Sequence, residues 1–263
     1  RSTLFPYTTL FRSQPLTGQT GRDAEMTMIA ALIFAAALGG LWLLSAKIIG
    51  ATVRALADPE GKIHARLRAP ADPAIRQPMR EVETWAEEHE YKDDLMFDFD
   101  VMDAGRLLFC RTWKNTRKCT YLVFYSGMGR HFTELVTIYD DNTSVTTTNA
   151  AEAHTLPVPP GAFVQSFPGN GLNRIHDLHG EGCRTLERRT GLEPRESAGG
   201  TADLVIRALT RQGRYIQSIP GWRWKGLWWM VTRKQRMTGK DVAWQLDQFG
   251  VHEPGPAPTD RLQ

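Results

Sequence analysis

The chain has 263 residues, 32 Lys plus Arg against 29 Asp plus Glu, and a formal net charge of +3. So small an excess implies no particular polyanionic partner. Its three cysteines, at 110, 119 and 183 with no CxxC pair, argue against a disulfide scaffold or a zinc ribbon, and so sparse and odd a set suits a reducing cytoplasm.

Residues 1–13 are expected to be foreign to the protein. Thr3 to Ser13, TLFPYTTLFRS, resembles the translation of a common short-read sequencing adapter, and the segment is set aside from fold reasoning as an artefact. Residues 14–27 are a leader of uncertain start, with Met26 and Met28 both standing just ahead of the apolar run that follows.

That run, Met28 to Ala46, is nineteen residues without a charge and is closed by Lys47. At about 1.5 Å per helical residue it reaches roughly 28 Å, close to the hydrocarbon thickness of a bilayer. A transmembrane helix over 28–46 is therefore expected, because in lipid only a helix or a closed barrel satisfies its own backbone. A cleaved signal peptide is the rival, but Asp23 and Glu25 offset Arg22, and Leu44 is bulky for a cleavage site after Ala46. Lys47, Arg54, Lys62 and Arg66 follow the run within twenty residues, which places the downstream part in the cytoplasm of a cell with an inner membrane. Ala35, Ala36, Gly39 and Gly40 put small residues four apart, as in dimerising spans.

Residues 47–77, broken by Pro59, Pro70 and Pro73, read as a juxtamembrane linker. A helix follows from Pro78 to near Tyr91, with Met79, Val82, Ala86 and His89 on one face. Alternation in Leu95, Phe97, Phe99 and Val101 predicts a strand, then a turn at Asp103 to Gly105. Strands at Leu107 to Trp113, Cys119 to Tyr125, Glu134 to Tyr139 and Ser144 to Thr148 follow with short turns, which implies an antiparallel meander. A short strand at Phe163 to Phe167 is possible, and a helix runs from Leu172 to about Arg189. Thr201 can cap a helix that Gly213 ends, and Thr238 can cap a last one with Asp241 at the capping-box position. The tail, 251–263, reads as disordered. The fold expected for 78–250 is α+β, with an antiparallel meander sheet covered by helices on one face.

Two patches could carry function. His176, His179 and Cys183 lie at helical spacing and offer nitrogen and thiol donors of the kind zinc accepts, or a thiol activated by a histidine. The same spacing, with Leu172, Ile175 and Leu186, also makes an ordinary apolar helix face, and no cofactor is favoured. The second patch runs from Trp222 to Arg236 and interleaves Trp222, Trp224, Trp228 and Trp229 with Arg223, Lys225, Arg233, Lys234 and Arg236. It can pack in the core or lie on an anionic membrane surface with its indoles among the headgroups; nucleic acid is the least favoured partner. Ser126 to His131 resembles a phosphate loop only faintly and reads better as a hairpin.

No HExxH, GxSxG or Walker sequence occurs. The expectation is a single-pass membrane protein whose cytoplasmic α+β domain is a binding or scaffolding module, in contact with the bilayer, with anionic headgroups and with a protein partner of unknown identity. The alternative is a membrane-tethered enzyme, metal-dependent or thiol-based, centred on His176, His179 and Cys183.

Overall fold

The computed structural model describes residues 19–100, 107–140, 142–196 and 199–252, with side chains from residue 25 onward. The adapter-like segment, the turn expected at 103–105 and almost all of the tail lie outside the described residues. The chain divides into two compact units, Arg1–Leu44 and Ser45–Gln263.

In the first unit the described residues are helical, as the first part of α1 (Gln19–Ala57), and every side chain from Glu25 to Leu44 is exposed. Among the described residues this is the one helix long and apolar enough to cross a membrane.

The second unit is α+β, built on a seven-stranded mixed sheet in the order β1-β2-β3-β4-β5-β6-β7. The strands are β1 (Ile63–Ala65), β2 (Lys92–Asp100), β3 (Leu107–Asn115), β4 (Thr120–Gly127), β5 (Arg130–Ile138), β6 (Ser144–Thr148) and β7 (Ala162–Ser166). The β4–β5 connection is a two-residue hairpin in which Met128 and Gly129 both have positive φ, 53° and 70°, as a tight hairpin turn of matching twist requires. The other helices are α2 (Pro73–Glu88), α3 (Leu172–Thr190), α4 (Thr201–Ser218), α5 (Trp222–Met237) and α6 (Val242–Gln248).

Several expectations are corrected. The meander is antiparallel through β6, but β7 lies parallel to β6, with Val145 opposite Phe163. Residues 149–161 make that crossover, about the dozen residues a parallel connection needs. The stretch expected as a linker holds the last turns of α1, a short 3-10 turn at Glu60–Lys62, strand β1 and the start of α2. Asp72 caps α2 by accepting from the Ala74 amide at 2.9 Å, so the helix begins at Pro73 rather than Pro78. Gly213 does not end α4, which runs on to Ser218 from an N-cap at Gly200 rather than Thr201. Asp241, not Thr238, caps α6 by accepting from the Trp244 amide at 2.8 Å.

Nor are helices confined to one face. Strand alternation puts Phe109, Trp113, Leu122, Phe124 and Leu135 on the side where Met79, Val82 and Trp85 of α2 and Ile175 of α3 pack. Further along the same face, Val145 and Phe163 meet Cys183 and Leu186 of α3 and Val242 and Leu246 of α6. On the opposite face Phe97, Phe99 and Cys110 pack with Leu56 of α1 and with Val205 and Leu209 of α4. A fourth cluster joins Ile49 and Val53 of α1 to Ile216 of α4 and Trp229 of α5.

Glycine decides how closely these helices approach. A Cβ built on Gly213 would lie 2.3 Å from the backbone nitrogen of Ala57, so α4 crosses the end of α1 backbone to backbone. The Ile49 side chain occupies the place a Cβ would take on Gly226 of α5, at 2.0 Å.

Candidate functional site

The sheet and α3 place His179 in a layer of hydroxyls. Thr137 on β5 and Thr147 on β6 belong to the same sheet face and sit under the buried side of α3. The His179 Nε2 atom lies 2.9 Å from Thr137 Oγ1 and its Nδ1 atom lies 2.9 Å from Thr147 Oγ1. Gln165 of β7 extends the network by donating from Nε2 to Thr147 Oγ1 at 2.7 Å and to the Leu178 carbonyl at 2.9 Å. Burial, helped by His176, lowers the His179 pKa to about 3, so the ring is neutral and serves one hydroxyl as donor and the other as acceptor.

Cys183 is brought to 3.6 Å from His179 Nε2, as the helical spacing predicts. Burial raises its thiol, which opposes formation of the thiolate that nucleophilic or metal chemistry needs. His176 goes elsewhere. Its half-buried ring packs edge-on against Trp85 of α2 and against His89, the C-cap of that helix, with centroids 5.4 and 5.6 Å away. Among the described residues no group of three or more His, Cys, Asp or Glu side chains is placed to hold a metal ion. The arrangement at His179 is that of a satisfied buried polar layer, and it lends no support to a metal or thiol centre at His176, His179 and Cys183.

The Trp-rich segment is a helix with two different faces. Trp222, Gly226, Trp229 and Arg233 recur at intervals of three and four and form the packed side. Trp229 is 8 % exposed and sits against Ile49, Val53 and Ile216, while the Arg233 Nε atom is buried without a hydrogen-bond partner among the described residues. On the other side Trp224, Trp228 and Val231 are 54 %, 63 % and 53 % exposed. Arg223 and Lys234 flank this stripe on one side and Lys225 and Arg236 on the other, by their positions around the helix. Lys234 lies 3.5 Å from Glu152. Of the residues expected at a membrane surface, Trp222, Trp229 and Arg233 are therefore turned into the domain, and Trp224 and Trp228 are the exposed indoles. The core reading describes one side of the helix, and the other side is exposed.

Sequence reasoning missed a groove between α2 and the start of α3. It has a volume of about 570 Å³ and is lined in part by Val82, Trp85, Phe124, Thr133, Leu172 and Asn173. Trp85 and Asn173 are 88 residues apart, joined by a hydrogen bond from the Trp85 Nε1 atom to Asn173 Oδ1 at 2.5 Å. No local pattern brings these residues together, so the only sequence cue was the helical face of α2.

What the fold defines is a class: an α+β domain following a helix long and apolar enough to cross a membrane. No protein family, curated protein or solved structure matches the chain.

Proposed function

We propose that this chain is a single-pass inner-membrane protein whose α+β domain faces the cytoplasm and acts there as a binding or scaffolding module, not as an enzyme. The observation that carries the reading is the wholly exposed apolar helix surface from Met26 to Leu44, which includes eleven large hydrophobic side chains from Met26 to Leu44. An exposed surface of that length and apolarity is costly in water and suited to lipid. Lys47, Arg54, Lys62 and Arg66 just beyond it favour retention of the domain on the cytoplasmic side.

The α5 helix extends the membrane contact. It packs on Ile49 and Val53, the first turns of chain after the apolar run, and it exposes Trp224, Trp228 and Val231 between flanking basic side chains. Indoles beside Lys and Arg suit the headgroup layer of an anionic leaflet, each base contributing on the order of 1 kcal/mol near the surface.

Expression with a reporter fused after Gln263, followed by alkaline carbonate washing, tests the reading. The chain should stay in the membrane pellet until detergent is added, and the reporter should be active in the cytoplasm and protected from external protease. Release by carbonate would remove the anchor, and reporter activity on the outer side would overturn the orientation.

A further inference from the structure

We infer that Asn170 is a site of spontaneous covalent modification, at which the side chain closes onto the Gly171 amide, loses ammonia and ends as isoaspartate or aspartate. The site is independent of the membrane reading, because it rests on the loop between β7 and α3.

The reaction needs a main-chain nitrogen that is both uncommitted and uncrowded. The Gly171 nitrogen attacks Cγ of Asn170; the N–Cγ bond forms, the Cγ–Nδ2 bond breaks, and Nδ2 leaves as ammonia with the proton that the amide gives up. Water then opens the five-membered imide at either carbonyl. Opening at the side-chain carbonyl gives aspartate, and opening at the main-chain carbonyl leaves the chain running through the side chain as isoaspartate. Water is the single co-reactant, and no oxidant or reductant is required.

The loop meets both conditions. Asn170 is the one asparagine in the chain that precedes a glycine, whereas Asn115, Asn142, Asn149 and Asn173 precede Thr, Thr, Ala and Arg, whose Cβ atoms crowd the nitrogen. Gly171 is exposed and is the N-cap of α3, with φ −74° and ψ 167°, so its amide lies ahead of the helix ladder. Among the described residues that amide donates no hydrogen bond. Two of the competing amides are committed: Thr143 donates to Asp140 Oδ1, and Ala150 donates to Thr148 Oγ1 at 3.0 Å. A Cβ built on Gly171 or on Gly169 would meet nothing within 4 Å, which leaves open space beside the nitrogen for the ring.

Asn170 itself is lightly held. Its Nδ2 atom donates to the Phe167 carbonyl at 3.1 Å, its amide donates to the same carbonyl at 3.4 Å, and its own carbonyl accepts from Asn149 Nδ2 at 3.4 Å. Bonds as long as the last two are weak, so the turn opposes rotation of the side chain toward Gly171 only slightly. The consequence falls on α3. Isoaspartate lengthens the main chain by a carbon just ahead of the N-cap and takes the carbonyl away from Asn149, so the first turn of α3, with Asn173 and its bond to Trp85, loses part of its anchorage.

Incubation of the full chain in nanodiscs at neutral and mildly alkaline pH, followed by peptide mapping and enzymatic methylation of isoaspartate, tests this. Asn170 should yield isoaspartate in excess over aspartate, at a rate that rises with hydroxide and stays within about tenfold of the rate for the same chain unfolded in urea. Asn115, Asn142, Asn149 and Asn173 should remain intact over the same period. Gly171→Ser suits the extended backbone there and is a better N-cap, so the melting temperature should not fall while conversion slows by at least about tenfold. A folded chain that converts more slowly than the tenfold limit, a product that is aspartate alone, or equal rates in the wild type and Gly171→Ser would overturn the site.

Discussion

Buried titratable side chains make the stability of this domain depend on pH in opposing directions. His154 is 1 % exposed with neither ring nitrogen hydrogen-bonded among the described residues, and burial together with Arg233 lowers its pKa to about 4. His179 is lowered to about 3. Both pKa values are below the unfolded-state value near 6.5, so their neutral rings contribute stability that is full above that pH and is lost as pH falls toward 4 and 3. Glu134, on the sheet face opposite His179, is raised to about 7, chiefly by burial, with the Tyr125 hydroxyl bond acting against the shift. Its protonated carboxyl contributes stability that is full below pH 4.5 and is lost as pH rises through 7. Glu134→Gln should therefore stabilise the domain at pH 8 by about 2 kcal/mol, with the gain shrinking to near zero by about pH 4.5, read by chemical denaturation across that range. A constant difference at every pH would refute the buried-carboxyl account.

Two glycines give a second test at this scale. Gly213→Ala adds a methyl where the Ala57 backbone already stands, and should cost roughly 1 to 3 kcal/mol despite the better helix former. Gly180→Ala meets only the flexible end of Arg184, at 3.2 Å, and should be neutral or stabilising by up to about 1 kcal/mol. Thermal melts of the two variants should move in opposite directions, or at least clearly apart. The sequence suggested a helix stop at Gly213 because glycine signals a C-cap as readily as a close crossing, and only the partner helix distinguishes the two.

At the scale of elements, periodicity was a good guide wherever one side of an element faces the core. Phe97 and Phe99 alternate with Asp98, and β2 forms there; Leu204, Val205, Ala208 and Leu209 recur as a helix stripe, and α4 forms there. At positions 47–57 the nearby prolines and the end of the apolar run at Ala46 give the sequence the look of a linker, yet Ile49, Val53 and Leu56 extend the same helix and become core. The β6–β7 pairing was illegible because strand direction is set by the 149–161 crossover, which has no periodic pattern of its own. The α5 helix was legible as a helix but not as to its facing, since tryptophans lie on both sides of it. Its geometry now separates them. Trp229→Ala should destabilise the domain by roughly 3 to 5 kcal/mol through a cavity beside Ile49 and Ile216. Trp228→Ala should change stability by less than about 1 kcal/mol. Urea denaturation of the two variants checks the pair, and a larger loss at Trp228 would mean that the faces are assigned the wrong way round.

For the whole molecule, the sheet is a partition. One face with α2, α3 and α6 holds the hydroxyl layer around His179 and the groove at the start of α3; the other holds the end of α1 and α4, and α5 packs against both of those helices through Ile49, Val53 and Ile216. The candidate site named from sequence was partly legible: His179 and Cys183 do meet, at 3.6 Å, because helical spacing alone brings them together. That Thr137 and Thr147 take both nitrogens of the ring depends on strand register, which spacing along α3 does not encode.

The central proposal is that α5 sets its exposed indoles, Trp224 and Trp228, in the headgroup layer of an anionic bilayer. Fluorescence quenching by lipids brominated near the headgroup tests it most directly, with the full chain reconstituted in anionic vesicles and compared with a Trp224→Phe, Trp228→Phe double variant. Trp42, which lies in the apolar run, is present in both and should contribute equally to the quenching of each. The account predicts that shallow bromines quench the wild type distinctly more than the double variant, and that the difference narrows in vesicles of neutral lipid. Equal quenching of the two proteins by every bromine position would contradict it.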